Sequence, residues 1–443
     1  MICNNCVTHE PLRKLVETTD KTGQCRYCKK HGNVIESREL FEYIFERVDE
    51  NLAKRDDLTD YELAMLYECG TDEIALAEID IVLMEWFGLG DTPYFDDLLA
   101  EIPSEFRKDD EGFSVHFYDD DGNLEKNIYD TRWETFVDDV RHNYRFFNPN
   151  THNFLDDVFS SLITNVNQLK PEVIRTITNG ETLYRARYAK GEGDAKKIID
   201  DPASQFGPTP KHMASSQRMT PNGISGLYCA LERETCLSEI RSITGDYVIS
   251  IGLTPATEIK LLDLTALKKV ELTELNYLDK GYRESLHRQV FLSSLVRKLS
   301  RPKARNDELS YLSTQVVFEY LRLRFDQQVV GLVFPSVQTG ETGTNVAIFP
   351  EYSLLGSGPL TVNDADDAYN EHEKNSGFDI ASNITTANKD QPPFVQNQKL
   401  VIMQKSIRFH KITAIQTSAK EYDNIYDIFM DEVTRRRLGP SFQ

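Results

Sequence analysis

Four cysteines near the start of the chain, Cys3, Cys6, Cys25 and Cys28, follow a C-x2-C-x18-C-x2-C pattern. Two tight knuckles separated by about 15–20 residues are what a tetrahedral four-thiolate zinc site needs. Each knuckle holds two sulfurs on one turn, and the segment between them folds back to complete the cage. A closed set of four ligands has no open position for water, so the zinc expected here is structural, not catalytic. His9 and His31 lie nearby as substitute ligands, and free thiols at accidental spacing are the alternative reading. A zinc-binding segment over residues 1–35 is therefore expected.

A chain of 443 residues has room for two or three domains with their own cores. Its formal charge of −21 disfavours broad binding to nucleic acid or anionic membrane, leaving room only for a local basic patch. No run of about 18 apolar residues is present to span a bilayer. The opening Met1-Ile2-Cys3-Asn4-Asn5-Cys6 lacks the basic start and apolar run of a secretory signal. A reducing, cytoplasmic location is expected, with the seven cysteines unpaired.

Residues 36–150 read as a mainly helical domain. Leu40, Phe41, Ile44, Phe45 and Val48 form one amphipathic stripe, and Tyr61–Tyr67 and Ile74–Phe87 are further helical candidates. His116-Phe117-Tyr118 reads as a strand entering the acidic turn Asp119–Asn123. A calcium loop is excluded there: its glycine stands sixth, which would make Phe117 the first ligand. A solvated turn is expected instead. A turn cluster at Phe146–Asn150 marks a boundary, and Phe154 to Val166 repeats the helical pattern.

From Thr182 the pattern is mixed. Tyr247–Ile251, Val329–Phe334, Val346–Phe349 and Ile407–Ile415 are strand candidates; Thr235–Arg241, Tyr282–Leu299 and Thr314–Phe325 are helical ones. Their irregular spacing favours an α+β domain over a doubly wound sheet. This domain is expected over 151–420, with a polar, mobile insertion at 356–393 and a terminal helix at 421–443 ending near Arg435-Arg436-Arg437. No P-loop occurs, and Gly88-Leu89-Gly90 lacks both the third glycine and the preceding strand of a dinucleotide fingerprint.

Five short motifs stand in order between Tyr184 and Asn345. They are Tyr184-Arg185, Arg218-Met219-Thr220-Pro221-Asn222-Gly223-Ile224, Leu227-Tyr228-Cys229-Ala230, Thr235 to Glu239-Ile240-Arg241, and Ser336 followed by a glycine-containing loop and Asn345. In this order the chain resembles the RES family of NAD⁺-degrading toxins, over roughly Leu183 to Thr417. The front half is similar to the zinc-binding domain often fused to such enzymes and grouped loosely with HEPN domains.

The resemblance implies a fold related to ADP-ribosyltransferases, with NAD⁺ in a cleft and its nicotinamide–ribose bond broken. Family roles map onto Arg218, Tyr228, Glu239 and Ser336, with Arg185 and Asn345 as supporting, NAD⁺-binding residues. The resemblance leaves the acceptor open among water, phosphate and a protein side chain. A protein that drains NAD⁺ would need an inhibitory or activating protein partner, with the front half as the regulatory surface; oligomerisation is open. A reading of another class is an inactive module that binds a partner or RNA.

The chemistry can be argued separately. Nicotinamide leaves as a neutral molecule from a cationic linkage, so no general acid is needed. One carboxylate, Glu239, could stabilise the oxocarbenium-like ribosyl cation or hold the ribose hydroxyls, where glycosidases commonly need two. Arginines suit the pyrophosphate through bidentate, charge-assisted hydrogen bonds. Tyr228 could stack on nicotinamide or adenine, and Ser336 could hold an amide or a ribose hydroxyl. Plainer readings also exist. Glu239 could be a solvated helical carboxylate, Tyr228 a core residue, Ser336 a turn start and Asn345 a cap. Arg185 and Arg187 could be surface charges on alternate sides of a strand.

Overall fold

The computed structural model of the chain describes residues 1–58, 63, 75–122, 127–270, 275–300, 309–340, 342–356, 399–415 and 421–422. The described residues divide into two compact units. The first lies within Met1–Glu134 and Glu271–Leu292, the second within Thr135–Val270 and Ser293–Asp427. No described helix is long and apolar enough to cross a membrane.

In the first unit, β1 (Ile2–Cys3), β2 (Thr22–Gln24) and β3 (His31–Ile35) form an antiparallel sheet in the order β1-β3-β2. The predicted stripe is the helix Ser37–Asn51, and all five of its apolar positions are buried. They join Ile2, Val7, Leu12, Val34 and Ile35 in one core, so the cysteine-bearing front packs on this helix. Of the candidate Ile74–Phe87, described from residue 75, the helical stretch begins at Ile79, because Ala77 is drawn into an extended bridge with Phe117. Val82–Trp86 then winds as a π-helix. Apart from Leu63, the candidate at Tyr61–Tyr67 lies outside the described residues.

The acidic turn is solvated only in part: Asp121 is exposed, but Asp119 is half-buried and Asp120 buried. It follows β5 (Phe117–Tyr118), which pairs with β4 (Ala53–Lys54). Asp120 is 1% exposed, and its Oδ2 accepts from Arg283 Nε at 2.9 Å, Arg283 Nη2 at 2.5 Å and His287 Nε2 at 2.9 Å. His287 Nδ1 accepts the Ile128 N–H at 3.1 Å, so the ring proton sits on Nε2 and points at Asp120. Burial alone would raise the Asp120 carboxyl; the His287 hydrogen bond and the Arg283 charge outweigh it and hold the group below the usual range. Gly122, at φ +82°, sits where a Cβ would meet Asn127 Nδ2 at 2.6 Å. Asp119 and Asp120 mark an internal anchor.

The second unit is built on a ten-stranded mixed sheet among the described residues. Its strands are β6 (Ile174–Ile177), β7 (Leu183–Ala189), β8 (Leu227–Ala230), β9 (Tyr247–Pro255), β10 (Ile259–Asp263), β11 (Gly331–Ser336), β12 (Gly343–Ile348), β13 (Leu355–Gly356), β14 (Leu400–Ile402) and β15 (Arg408–Lys411). The order is β13-β14-β9-β7-β8-β12-β11-β10-β6, with β15 also paired to β9. Only β10–β11 and β13–β14 are parallel. The expected α+β class thus holds, and the three helical candidates appear as Arg233–Glu239, Leu312–Arg324 and Tyr282–Ser300, the last of which belongs to the first unit up to Leu292.

The helix expected from Phe154 to Val166 is Pro149–Ser160, capped by the Asn148 side chain accepting from Asn150 N and Thr151 N. It stops short because the chain turns back to bridge Ile163 with Leu169, leaving Val166 exposed. The strand expected over Ile407–Ile415 is the shorter β15. Residues 357–393 of the expected insertion and 423–443 of the expected terminal helix lie outside the described residues.

Candidate active site and cysteine cluster

The middle of the large sheet is a seam. β7 pairs with β9 over seven residues but meets β8 only at Tyr184–Ala230. Backbone groups beyond a ladder's end need other partners, and Arg185 supplies one. Its Nη1 donates to the Tyr228 carbonyl at 2.5 Å and its Nη2 to the Gly207 carbonyl at 3.3 Å. Arg187 donates to the Gln205 carbonyl. Arg185 and Arg187 are therefore not on alternate sides of the strand: two residues apart, they share a face and reach the same segment. Burial pulls the Arg185 guanidinium below its usual pKa, and it makes no ion pair among the described residues.

A cavity of about 560 Å³ opens at this seam, a size typical of small-molecule sites. Arg185, Arg218, Tyr228, Glu239 and Asn345 all line it. Glu239 is the last residue of the helix Arg233–Glu239. Its Oε1 accepts from Ser336 Oγ at 2.6 Å and from Asn345 Nδ2 at 2.7 Å. Ser336 pairs with Gly343 and Phe334 with Asn345, so Ser336 and Asn345 are diagonal neighbours on one face of the β11–β12 hairpin. Ser336 is fully buried and does not line the cavity. It stands behind Glu239 and orients it; Oε2 has no hydrogen-bond partner among the described residues.

The same helix is pinned at its start. Glu232 Oε2 accepts the Thr344 N–H at 2.8 Å and Thr235 Oγ1 at 2.9 Å. Gly343 allows this closeness, since a Cβ there would stand 2.1 Å from Thr235 Oγ1. Helix and hairpin are thus joined at both ends of the helix.

Arg218 rides on a turn held from two sides. The Tyr228 hydroxyl accepts the Met219 N–H at 3.1 Å and lies 3.3 Å from Thr220 Oγ1, and burial raises its pKa. Buried Gln315 donates through Nε2 to Ser216 Oγ at 2.9 Å and to the Gln217 carbonyl at 2.7 Å. Neither Glu232 nor Gln315 carried a sequence signal; each acts through a fold contact with no local pattern. The Arg218 guanidinium itself has no hydrogen bond or ion pair among the described residues. A fixed carboxylate and an unpaired guanidinium on one cavity suit a ligand with both a cationic centre and an anionic group.

In the first unit the four cysteine sulfurs lie within 4.8 Å of one another. Cys3 Sγ and Cys28 Sγ are 3.4 Å apart, Cys6 Sγ and Cys25 Sγ 3.7 Å. An ion bonded to four sulfurs at about 2.3 Å separates them by about 3.8 Å, so the cluster fits a tetrahedral metal ion. Burial opposes ionisation of Cys25, but hydrogen bonds from the backbone of Cys28 and Tyr27 bring its pKa down to about 6. Burial and the neighbouring thiols push Cys6 up.

No curated protein matches the chain. Residues 182–355, which run from the start of β7 through the seam, the Glu239 helix and the β11–β12 hairpin, match the family model of the RES domain.

Proposed function

We propose that the second unit cleaves the nicotinamide–ribose bond of NAD⁺ and that the chain acts as an NAD⁺-depleting toxin or effector. The observation that carries this reading is the Glu239 carboxylate, fixed by Ser336 and Asn345, on a cavity that also holds Arg218, with Oε2 and the guanidinium both unpartnered among the described residues. Glu239 stabilises the positive charge that develops on the ribose as nicotinamide departs. Arg218 takes the pyrophosphate, in a chain whose −21 charge would otherwise repel it. Arg185 holds the seam open, the Tyr228 ring walls the cavity while its hydroxyl fixes the Arg218 turn, and Ser336 and Asn345 aim the carboxylate.

The acceptor we favour is water, which makes the enzyme an NAD⁺ glycohydrolase; phosphate or a protein side chain would make it a phosphorylase or an ADP-ribosyltransferase. In the first unit, Cys3, Cys6, Cys25 and Cys28 would hold a structural zinc ion that supplies folding energy and takes no part in the reaction. The helical region up to about residue 150 is the surface on which we place the regulatory partner, within the cytoplasm.

The test is nicotinamide release from NAD⁺, with and without phosphate, with the ribosyl product identified. Glu239→Gln and Arg218→Ala are each expected to lower kcat/KM by at least about a hundredfold while the protein stays folded, a loss of about 2.7 kcal/mol of transition-state stabilisation. Absence of nicotinamide from the wild type, or equal turnover by both variants, sinks the proposal in favour of a binding module.

A further inference from the structure

The front of the chain carries a charge pattern opposite to the rest. From Lys21 to Ile35 there is no Asp or Glu, while Lys21, Arg26, Lys29 and Lys30 are all present, in a chain where 71 acids face 50 basic residues. Arg26, Lys29, Lys30 and His31 are exposed together around the second cysteine knuckle and the start of β3.

Three details distinguish this patch from ordinary surface charge. First, Lys29 and Lys30 make no ion pair among the described residues, although the chain has carboxylates in excess; the ammonium of Lys29 donates only to the Arg26 carbonyl. Second, Lys29 has φ +61°, directly after Cys28, where glycine would sit without strain. A lysine there costs about 1 kcal/mol of backbone energy that a glycine would avoid, and leaves a cation at the tip of the turn. Third, the Arg26 guanidinium lies 5.8 Å from the centre of the Tyr27 ring, with its side chain 64% exposed and one carboxylate contact, Asp97 at 3.4 Å. The exposed guanidinium, within cation–π range of the half-buried Tyr27 ring whose hydroxyl donates to Asp97, offers a flat face on which a base can stack, and lysines flank it.

We infer that this knuckle face binds single-stranded nucleic acid. Cations at the tip take phosphates, and an unpaired base stacks on the Arg26–Tyr27 platform. A carboxylate-bearing partner would use the cations and ignore the stacking face. Duplex is disfavoured because its bases are already stacked and the patch presents a short turn, not a groove-filling helix. The negative charge of the rest of the chain is screened beyond about 8 Å at physiological salt, so the footprint is local and the binding steeply salt-dependent. This inference does not rest on the NAD⁺ reading, and nicotinamide release is not its readout.

The experiment titrates the purified full chain against a fluorescein-labelled single-stranded RNA of mixed sequence, about 20 nucleotides long, reading polarisation from about 50 to about 200 mM salt. Saturable binding is expected. The double variant Lys29→Glu/Lys30→Glu should weaken it by at least about tenfold, and loss of two phosphate contacts should flatten the log–log salt slope by about 1.4. Lys29→Gly removes one cation and relieves the backbone, so its fold is secure; it should flatten the slope by about 0.7. No saturable binding, or unchanged affinity and slope in both variants, overturns the inference. Equally tight binding of labelled poly-glutamate also overturns it, as would a change of oligomeric state in the variants, which would make the face a contact between copies.

Discussion

A buried carboxylate with fixed partners changes what acid does to a protein. Asp120 is held by Arg283 and His287, with its folded pKa depressed below the unfolded value near 3.9. The unfolded state therefore binds the proton first, and the stabilisation is complete above about pH 4 and lost as pH falls through the folded pKa. Asp120→Asn should lower the melting temperature at pH 7 and make stability less dependent on pH below about 4, with a loss of up to about 3–5 kcal/mol. Thermal melts from pH 3 to pH 7 measure both; identical wild-type and variant curves would remove the anchor role. At this scale the sequence was half legible. Glu239, Arg218 and Tyr228 could be named as candidates through the resemblance carried by five motifs in order, and all three line the cavity. That Ser336 stands behind Glu239 depends on hairpin register, and that Gln315 holds the Arg218 turn depends on a helix about a hundred residues away. The acidic turn misled for a related reason: the Arg283 cation and the His287 N–H that meet it lie far along the chain.

Helices and strands were legible where one face alternates with solvent and obscure where both faces are covered. The helix Arg233–Glu239 could be read to within two residues; it ends earlier than its pattern suggests because Arg241 turns to φ +50°. β9, buried on both faces at most positions, was recognisable as an apolar run but not in its full length. The short strands β6, β10, β13 and β14 carry too few residues for any period to appear. The contact between the Glu239 helix and its hairpin gives the sharpest prediction at this scale. Gly343→Ala forces a Cβ to within 2.1 Å of Thr235 Oγ1, so helix or hairpin must move. The expected cost is about 1–3 kcal/mol of stability, with a fall in kcat as the carboxylate is displaced. Thr235→Ala in the same chain should recover part of the loss. A Gly343→Ala protein with wild-type melting and turnover would show that this contact is slack.

For the whole molecule, the α+β class and the cysteine cluster could be read from the sequence, while the assignment of chain to unit could not. Glu271–Leu292 lies in sequence between β10 and β11 of the second unit yet belongs to the first. Nothing in its local pattern records that, because membership is set by partners distant in sequence, among them Asp119 and Asp120. If the four cysteines hold zinc, the purified chain should carry about one equivalent by elemental analysis. Removing it with a strong chelator should abolish the melting transition of the first unit, as metal binding and folding are coupled. Nicotinamide release should persist, and its loss in parallel with the metal would contradict a purely structural ion.

In an unbroken ladder the spacing of neighbouring strands, about 4.8 Å, is set by the main chain, and no side-chain substitution can alter it. Between β7 and β8 that rule lapses after a single pair, and the gap is spanned instead by the reach of Arg185. The spacing there rests on side chains, Arg185 and Arg187, not on a main-chain ladder. A change at Arg185 would alter that spacing and leave the Tyr228 and Gly207 carbonyls in need of other partners, so ligand preference and stability are tied here to the same side chain.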